Sequence, residues 1–115
     1  MKFIITDFFE KQFNKIVSDM SINDLVLKIN INSKNFINFK DPYVKIKLKT
    51  NNKTYRLVIV FDKNELIILF INIFDKKDKN YGENLSWDIH KKDILNWKDK
   101  NQECLISGKY YNIYL

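Results

Sequence analysis

The sequence predicts an α+β domain: an N-terminal strand and two helices packed on a mostly antiparallel sheet with a central meander. Three observations carry this. Tyr43–Lys49 (YVKIKLK) alternates apolar and basic residues, the period of a half-buried strand. Two further β-rich segments, Thr54–Phe61 (TYRLVIVF) and Leu66–Phe74 (LIILFINIF), come after it across short polar breaks. Phe9, Phe13, Ile16 and Met20 recur on one helical face. Helical segments set apart from a block of strands predict helices on one side of an antiparallel sheet.

In chain order, Lys2–Thr6 (KFIIT) is short and β-branched, and reads as the first strand. Asp7 with Glu10 has the spacing of a capping box and opens a helix. Ser21 with Asp24 offers a second start ahead of Leu25, Val26 and Ile29, so two short helices join near Asp19–Ser21. Asn30–Pro42 has no clear period and reads as a connection, with Phe36, Ile37 and Phe39 tucked onto the core. In the meander, Asn51-Asn52 supply the two positive-φ residues of a type I′ turn. Centring that turn sets Lys47 opposite Arg56 and Lys45 opposite Val58. Asp62–Glu65 makes the next turn, and the continuous apolar run after it suits a central strand covered on both faces. Asp75–Glu83 is a polar loop. Asn84 or Ser86 caps a helix through about Lys98, with Trp87, His90, Ile94 and Trp97 as its apolar stripe. Asn101 and Gly108 flank a break, and Tyr110–Leu115 reads as a last short strand.

At 115 residues the chain is expected to form a single domain, 1–115. One Cys and one His exclude a disulfide framework and a Cys- or His-rich zinc site. Two glycines cannot build a Gly-rich phosphate cradle, and no Walker or metalloprotease motif is present. The longest apolar run, Leu66–Ile71, is too short to cross a bilayer, and Asp7 and Glu10 interrupt any leader-like stretch. The expectation is a soluble cytoplasmic protein without cofactor, metal or membrane partner.

Lys (19), Ile (17) and Asn (15) dominate the chain while Ala is absent, which reads as AT-rich coding and makes the sole arginine, Arg56, more informative. The net charge of +6 is concentrated: residues 34–63 hold eight basic side chains against Asp41 and Asp62, and the other residues sum to zero. A basic zone on a neutral body suits a polyanionic partner. Each member also has a structural reading. The lysines of the alternating strand form a wet face or guard an edge. Arg56 has Asp41 and Glu83 as candidate ion-pair partners, Tyr81 anchors a loop, and His90 flanks the core. Cys104 with His90 is a conceivable nucleophile pair with no supporting motif.

The order strand, helix, helix, three-strand meander, helix resembles that of the RelE/ParE superfamily of toxins from bacterial type II toxin–antitoxin modules. The segments that carry the resemblance are FIITDFFEKQFNKI, YVKIKLKTNNKTYRLVIVFDKNELIILFINIFDKK and NLSWDIHKKDIL, within residues 2–98. The resemblance implies a RelE-like endoribonuclease that cuts messenger RNA on the ribosome, using Lys and Arg with a Tyr. By position, Lys45 and Lys47 match the family's two strand lysines, and Arg56 the arginine of the next strand. The family's second arginine falls on Lys76 or Lys77, a departure because Lys lacks the planar bidentate fork. The family's tyrosine falls near Tyr81, at a shorter spacing.

The resemblance implies a mechanism as well. The RNA 2′-OH attacks the adjacent phosphorus, with Lys45 as base, Lys47 and Arg56 on the phosphate oxygens, Lys77 left as the acid, and Tyr81 stacked on a base. By the same resemblance, Lys49, Lys53 and Lys76 bind the RNA backbone, and the partners are a cognate antitoxin, the ribosome and mRNA. Two alternatives remain open: a ParE-like toxin that inhibits DNA gyrase without nuclease activity, and a basic RNA- or protein-binding module.

Overall fold

The computed structural model describes residues 1–31 and 36–115. In order these form β1 (Lys2–Thr6), α1 (Asp7–Ile16), α2 (Ile22–Ile31), β2 (Ile37–Lys40), β3 (Tyr43–Lys49), β4 (Thr54–Asp62), β5 (Ile67–Asp75), α3 (Trp87–Ile106) and β6 (Tyr110–Tyr114). All the strands belong to one sheet in the order β2-β3-β4-β5-β1-β6. Every pairing is antiparallel except β1 with β5. The α+β class and the element order expected from the sequence are therefore present.

The helix starts come from local side chains. Thr6, not Asp7, caps α1: its hydroxyl oxygen accepts from the Phe9 N–H at 3.1 Å. Asp7 and Glu10 instead occupy the first turn, where the helix dipole favours negative charge. At α2 the reciprocal box is complete. The Ser21 N–H donates to Asp24 Oδ2 at 3.0 Å, and the Asp24 N–H donates to Ser21 Oγ at 3.1 Å. Ser86 caps α3, which runs on to Ile106, well beyond the expected end near Lys98. Asn101 does not mark a break. It is fully buried inside α3, and its amide bridges to the sheet: Nδ2 donates to the Ile71 carbonyl at 3.1 Å and the Trp97 carbonyl at 2.8 Å, and Oδ1 accepts from the Thr6 hydroxyl. Gly108 is the true stop, with φ of 75°. The Lys109 N–H returns to the Cys104 carbonyl at 2.8 Å, and the Gly108 N–H to the Leu105 carbonyl at 3.4 Å, closing a Schellman motif.

The β3–β4 register is the expected one, with Lys47 opposite Arg56 and Lys45 opposite Val58. The turn chemistry is not. Neither Asn51 nor Asn52 has positive φ; among the described residues outside glycine only Leu66 does. Thr50 shapes the turn instead, its hydroxyl accepting from the Asn52 N–H at 3.3 Å and the Lys53 N–H at 3.0 Å. Asp62 Oδ1 shapes the β4–β5 turn in the same way, accepting from the Asn64 and Glu65 amides at 3.0 and 3.1 Å.

Asn30–Pro42 is not purely a connection. Ile37–Lys40 adds an edge strand to β3, while residues 32–35, including Lys34, lie outside the described residues. Phe36 packs edge-on against Phe61 and Phe39 against Trp87, but Ile37 stays half exposed.

Helices cover both faces of the sheet, not one. On one face, α1 and α2 bury Phe9, Phe13, Leu25 and Ile29 against Phe3, Ile46, Leu57 and Phe70. On the other, Ile94 and Trp97 of α3 pack with Tyr43, Val58, Ile71 and Phe74. The β4–β5 register shifts between Val58 and Ile59, where Ile71 of β5 is the extra residue. The β5 alternation breaks at Asn72, whose Oδ1 accepts from the Ile73 N–H at 2.9 Å, so Ile71 and Phe74 both reach the α3 face. Lys45, Lys47 and Arg56 alternate onto this same face, at the β3 and β4 positions between the apolar ones.

Candidate nucleic-acid interface

Arg56 is the centre of the site. It is 8% exposed on β4, and its Nε donates to the Gly82 carbonyl at 3.3 Å. Burial pulls its pKa below the usual arginine value, yet a guanidinium stays charged at neutral pH. Neither Asp41 nor Glu83 pairs with it; the nearby Asp75 is taken by Lys53, at 3.6 Å. A buried cation without a counter-charge is costly. Lys47 lies directly across from Arg56, and like charges at opposed positions repel. Arg56 and the lysine facing it thus have no carboxylate partner among the described residues.

Lysines surround Arg56. Lys47 is exposed, and the Lys76 ammonium within hydrogen-bonding reach pulls its pKa down, with a further push from Arg56. Lys45 is half-buried; desolvation first, and Arg56 second, lower its pKa. Its Nζ donates to the Leu85 carbonyl at 3.1 Å and sits 5.7 Å from the centre of the Phe39 ring.

Lys76 comes from the loop after β5, and Gly82 is what folds that loop back. A Cβ at Gly82 would lie 2.2 Å from the Lys76 carbonyl oxygen, so only glycine fits there. The Gly82 N–H also donates to the Asp78 carbonyl at 3.0 Å. The same glycine thus brings Lys76 to Lys47 and presents its own carbonyl to Arg56. Beside the cluster, the β3–β4 turn and this loop enclose an open cleft of about 490 Å³. Lys49, Lys53, Lys76 and Lys77 all line it.

The expected site residues therefore fall into two joined groups. Lys45, Lys47, Arg56 and Lys76 form the cluster. Lys49, Lys53, Lys76 and Lys77 line the cleft, with Lys76 common to both. Tyr81 stands apart in its contacts. Its ring packs on Phe74 at 4.8 Å, Trp97 at 4.9 Å and His90 at 5.2 Å, and its hydroxyl donates to Asp93 at 3.0 Å. Burial and the Asp93 carboxylate raise its pKa. His90 Nδ1 accepts from the Ser86 N–H at 3.2 Å, a core-flank role. Cys104 lies on the same helix, about 21 Å further along its axis at the α-helical rise, so the two cannot form a nucleophile pair.

The main-chain carbonyls of Gly82 and Leu85, which hold Arg56 and Lys45, are not foreseeable from residue identities. A further anchor is equally hidden in the sequence: the Tyr55 hydroxyl donates to Asp19 Oδ1 at 2.6 Å, and the Thr50 hydroxyl donates to Asp19 Oδ2. These contacts tie the cleft's turn to the α1–α2 connection.

Among the described residues no His, Cys, Asp and Glu group is arranged to hold a metal ion. No helix among them is long and apolar enough to cross a membrane. No protein-family model matches the chain, and no curated protein matches its sequence.

Proposed function

We propose that the chain is a RelE-like toxin of a type II toxin–antitoxin system, an endoribonuclease that cleaves messenger RNA on the ribosome. The observation that carries this reading is Arg56: a buried guanidinium with no carboxylate partner among the described residues, facing Lys47, which abuts Lys76. The shared order of elements and the YVKIKLK…TYRLV segments support it.

The cluster suggests how the reaction runs. A base removes the proton from the RNA 2′-OH, the oxygen attacks phosphorus, and the bond from phosphorus to the 5′-oxygen breaks. The products are a 2′,3′-cyclic phosphate and a 5′-hydroxyl. The resemblance assigns the base to Lys45, but its ammonium is already engaged by the Leu85 carbonyl. Lys47 suits the role better, being exposed and lowered in pKa by Lys76. Arg56 and Lys76 then hold the phosphate oxygens as charge builds on them. Lys45 adds positive charge behind them, and the exposed Lys77 returns a proton to the leaving 5′-oxygen. Lys49 and Lys53 guide the RNA backbone along the cleft. Tyr81, with its ring and hydroxyl occupied, steadies the loop that carries Lys76 and Lys77. No cofactor enters the scheme. In a cell the protein works in the cytoplasm, restrained by an antitoxin that covers the cationic face.

Primer extension on mRNA after brief induction in a bacterial host tests this. Codon-phased cuts in translated regions, absent with Arg56→Ala, are the expected result. Growth arrest with intact RNA would instead favour the gyrase-inhibitor reading, and neither effect a plain binding module.

A further inference from the structure

The sheet ends on two edges of opposite character. The β2 edge is guarded: it is four residues long, carries Lys40, and its register is broken by a bulge between Asn38 and Lys40. The β6 edge has no such protection. Tyr110–Tyr114 (YYNIY) holds no charge and no proline, and pairs with β1 in unbroken register. Tyr110, Tyr111 and Tyr114 are 40%, 41% and 68% exposed.

The hydrogen bonding of this edge fixes what fits it. The Asp7 N–H donates to the Lys109 carbonyl, and the Leu115 N–H to the Met1 carbonyl, so the odd-numbered residues of β6 bond inward to β1. The N–H and C=O groups of Tyr110, Asn112 and Tyr114 therefore face outward. A second β6 running antiparallel about a two-fold axis at Asn112 matches them in register. Tyr110 meets the partner's Tyr114, Asn112 meets the partner's Asn112, and each such pair exchanges two main-chain bonds. Any one-residue slip would set outward groups against inward-bonded ones and lose the match. The side chains agree with this axis. Tyr110 and the partner's Tyr114 fall on one face as directly opposed aromatic pairs. Asn112 Oδ1 is the one buried side-chain polar atom without a hydrogen-bond partner among the described residues. The Asn112 side chain lies on the same face as those tyrosines, its Nδ2 donating to the Tyr114 hydroxyl at 3.4 Å.

We infer that two copies of this chain associate through β6, extending the sheet across a two-fold axis at Asn112. Edge pairing alone buries less than a standard interface, so the dimer forms in a concentration-dependent way. Sedimentation velocity of the full chain from about 1 to 500 µM, the range in which small interfaces assemble, tests it. Two variants complete the test. Asn112→Pro removes an outward N–H that β1 does not use, a substitution an edge strand tolerates. Asn112→Lys sets like charges across the axis. Expected is a monomer–dimer equilibrium for the unaltered chain, weakened about tenfold or more in both variants, with circular dichroism and melting unchanged at low concentration. A control, Ile37→Lys on the β2 edge, leaves the equilibrium as it was. An unaltered chain that stays monomeric throughout overturns the inference, as does a dimer that persists in either folded variant. Should one variant fail to fold, the other decides.

Discussion

Tyr55→Phe tests how the basic hairpin is held. The Tyr55 ring is fully buried, and phenylalanine keeps that packing. Only the hydroxyl goes, with its 2.6 Å bond to Asp19. A hydrogen bond to a charged acceptor contributes about 1.5–3 kcal/mol. Asp19 keeps the Thr50 hydroxyl, which sets the expected loss near the middle of that range, about 2 kcal/mol. With about 2.1 cal/mol/K of unfolding entropy per residue, this lowers Tm by about 8 °C. The pH dependence supplies a second check. Hydrogen bonds from Thr50 first, and Tyr55 second, hold the Asp19 carboxyl below its usual 3.8. The contribution is therefore present above that value and fades as pH falls through the lower folded one. On the alkaline side, burial and the Asp19 bond push the Tyr55 hydroxyl up to about 12, so its contribution is full below 10 and fades towards 12. Thermal melts followed by circular dichroism at pH 7 and in strong acid read both effects. A Tm drop under about 2 °C at pH 7, or a gap between the two proteins that does not narrow in acid, would mean that the Tyr55 hydroxyl does not hold the hairpin.

Other outcomes rest on the same geometry. Asn101→Leu strips the amide that bonds the Thr6 hydroxyl and the Ile71 carbonyl, and urea unfolding should show a loss of about 2–4 kcal/mol. Gly82→Ala forces the loop open against the Lys76 carbonyl; limited proteolysis should find new cleavage between Lys76 and Gly82, and RNA binding should fall while the melting of the sheet changes little. Lys76→Met removes the first cause of the lowered Lys47 pKa, so the rising limb of the pH–rate profile should move to higher pH. A profile that stays in place would take the base away from Lys47.

The parts of the fold that are legible in the sequence are those set by local pattern. The alternation of Tyr43–Lys49 and the apolar run after Asp62–Glu65 reveal the meander, and a simple count across the turn yields the Lys47–Arg56 pairing. That count holds despite the wrong turn type because Thr50 closes a loop of the same length by a different chemistry. Edge strand β2 escapes a reading by pattern because a four-residue strand with a bulge has no period to detect. The apolar run of β5 reveals that this strand is covered on both faces, but not that Phe74 joins the α3 face, because that depends on the shift at Asn72. Asn101 resembles a helix breaker since its low helix propensity is visible in sequence, while the buried partners that outweigh it are not. At the site, the strand cations can be read directly. The closeness of Lys76 to Lys47 cannot, as it rests on a glycine folding one loop onto another strand.

Whether the cluster around Arg56 cleaves RNA can be decided with purified ribosomes stalled on a defined message. Added protein should cut the message within the ribosome, leaving a 2′,3′-cyclic phosphate and a 5′-hydroxyl, and Arg56→Ala and Lys47→Met should each abolish the cut while remaining folded. An intact message beside a folded, unaltered protein would contradict the proposed function, as would cleavage that survives both substitutions.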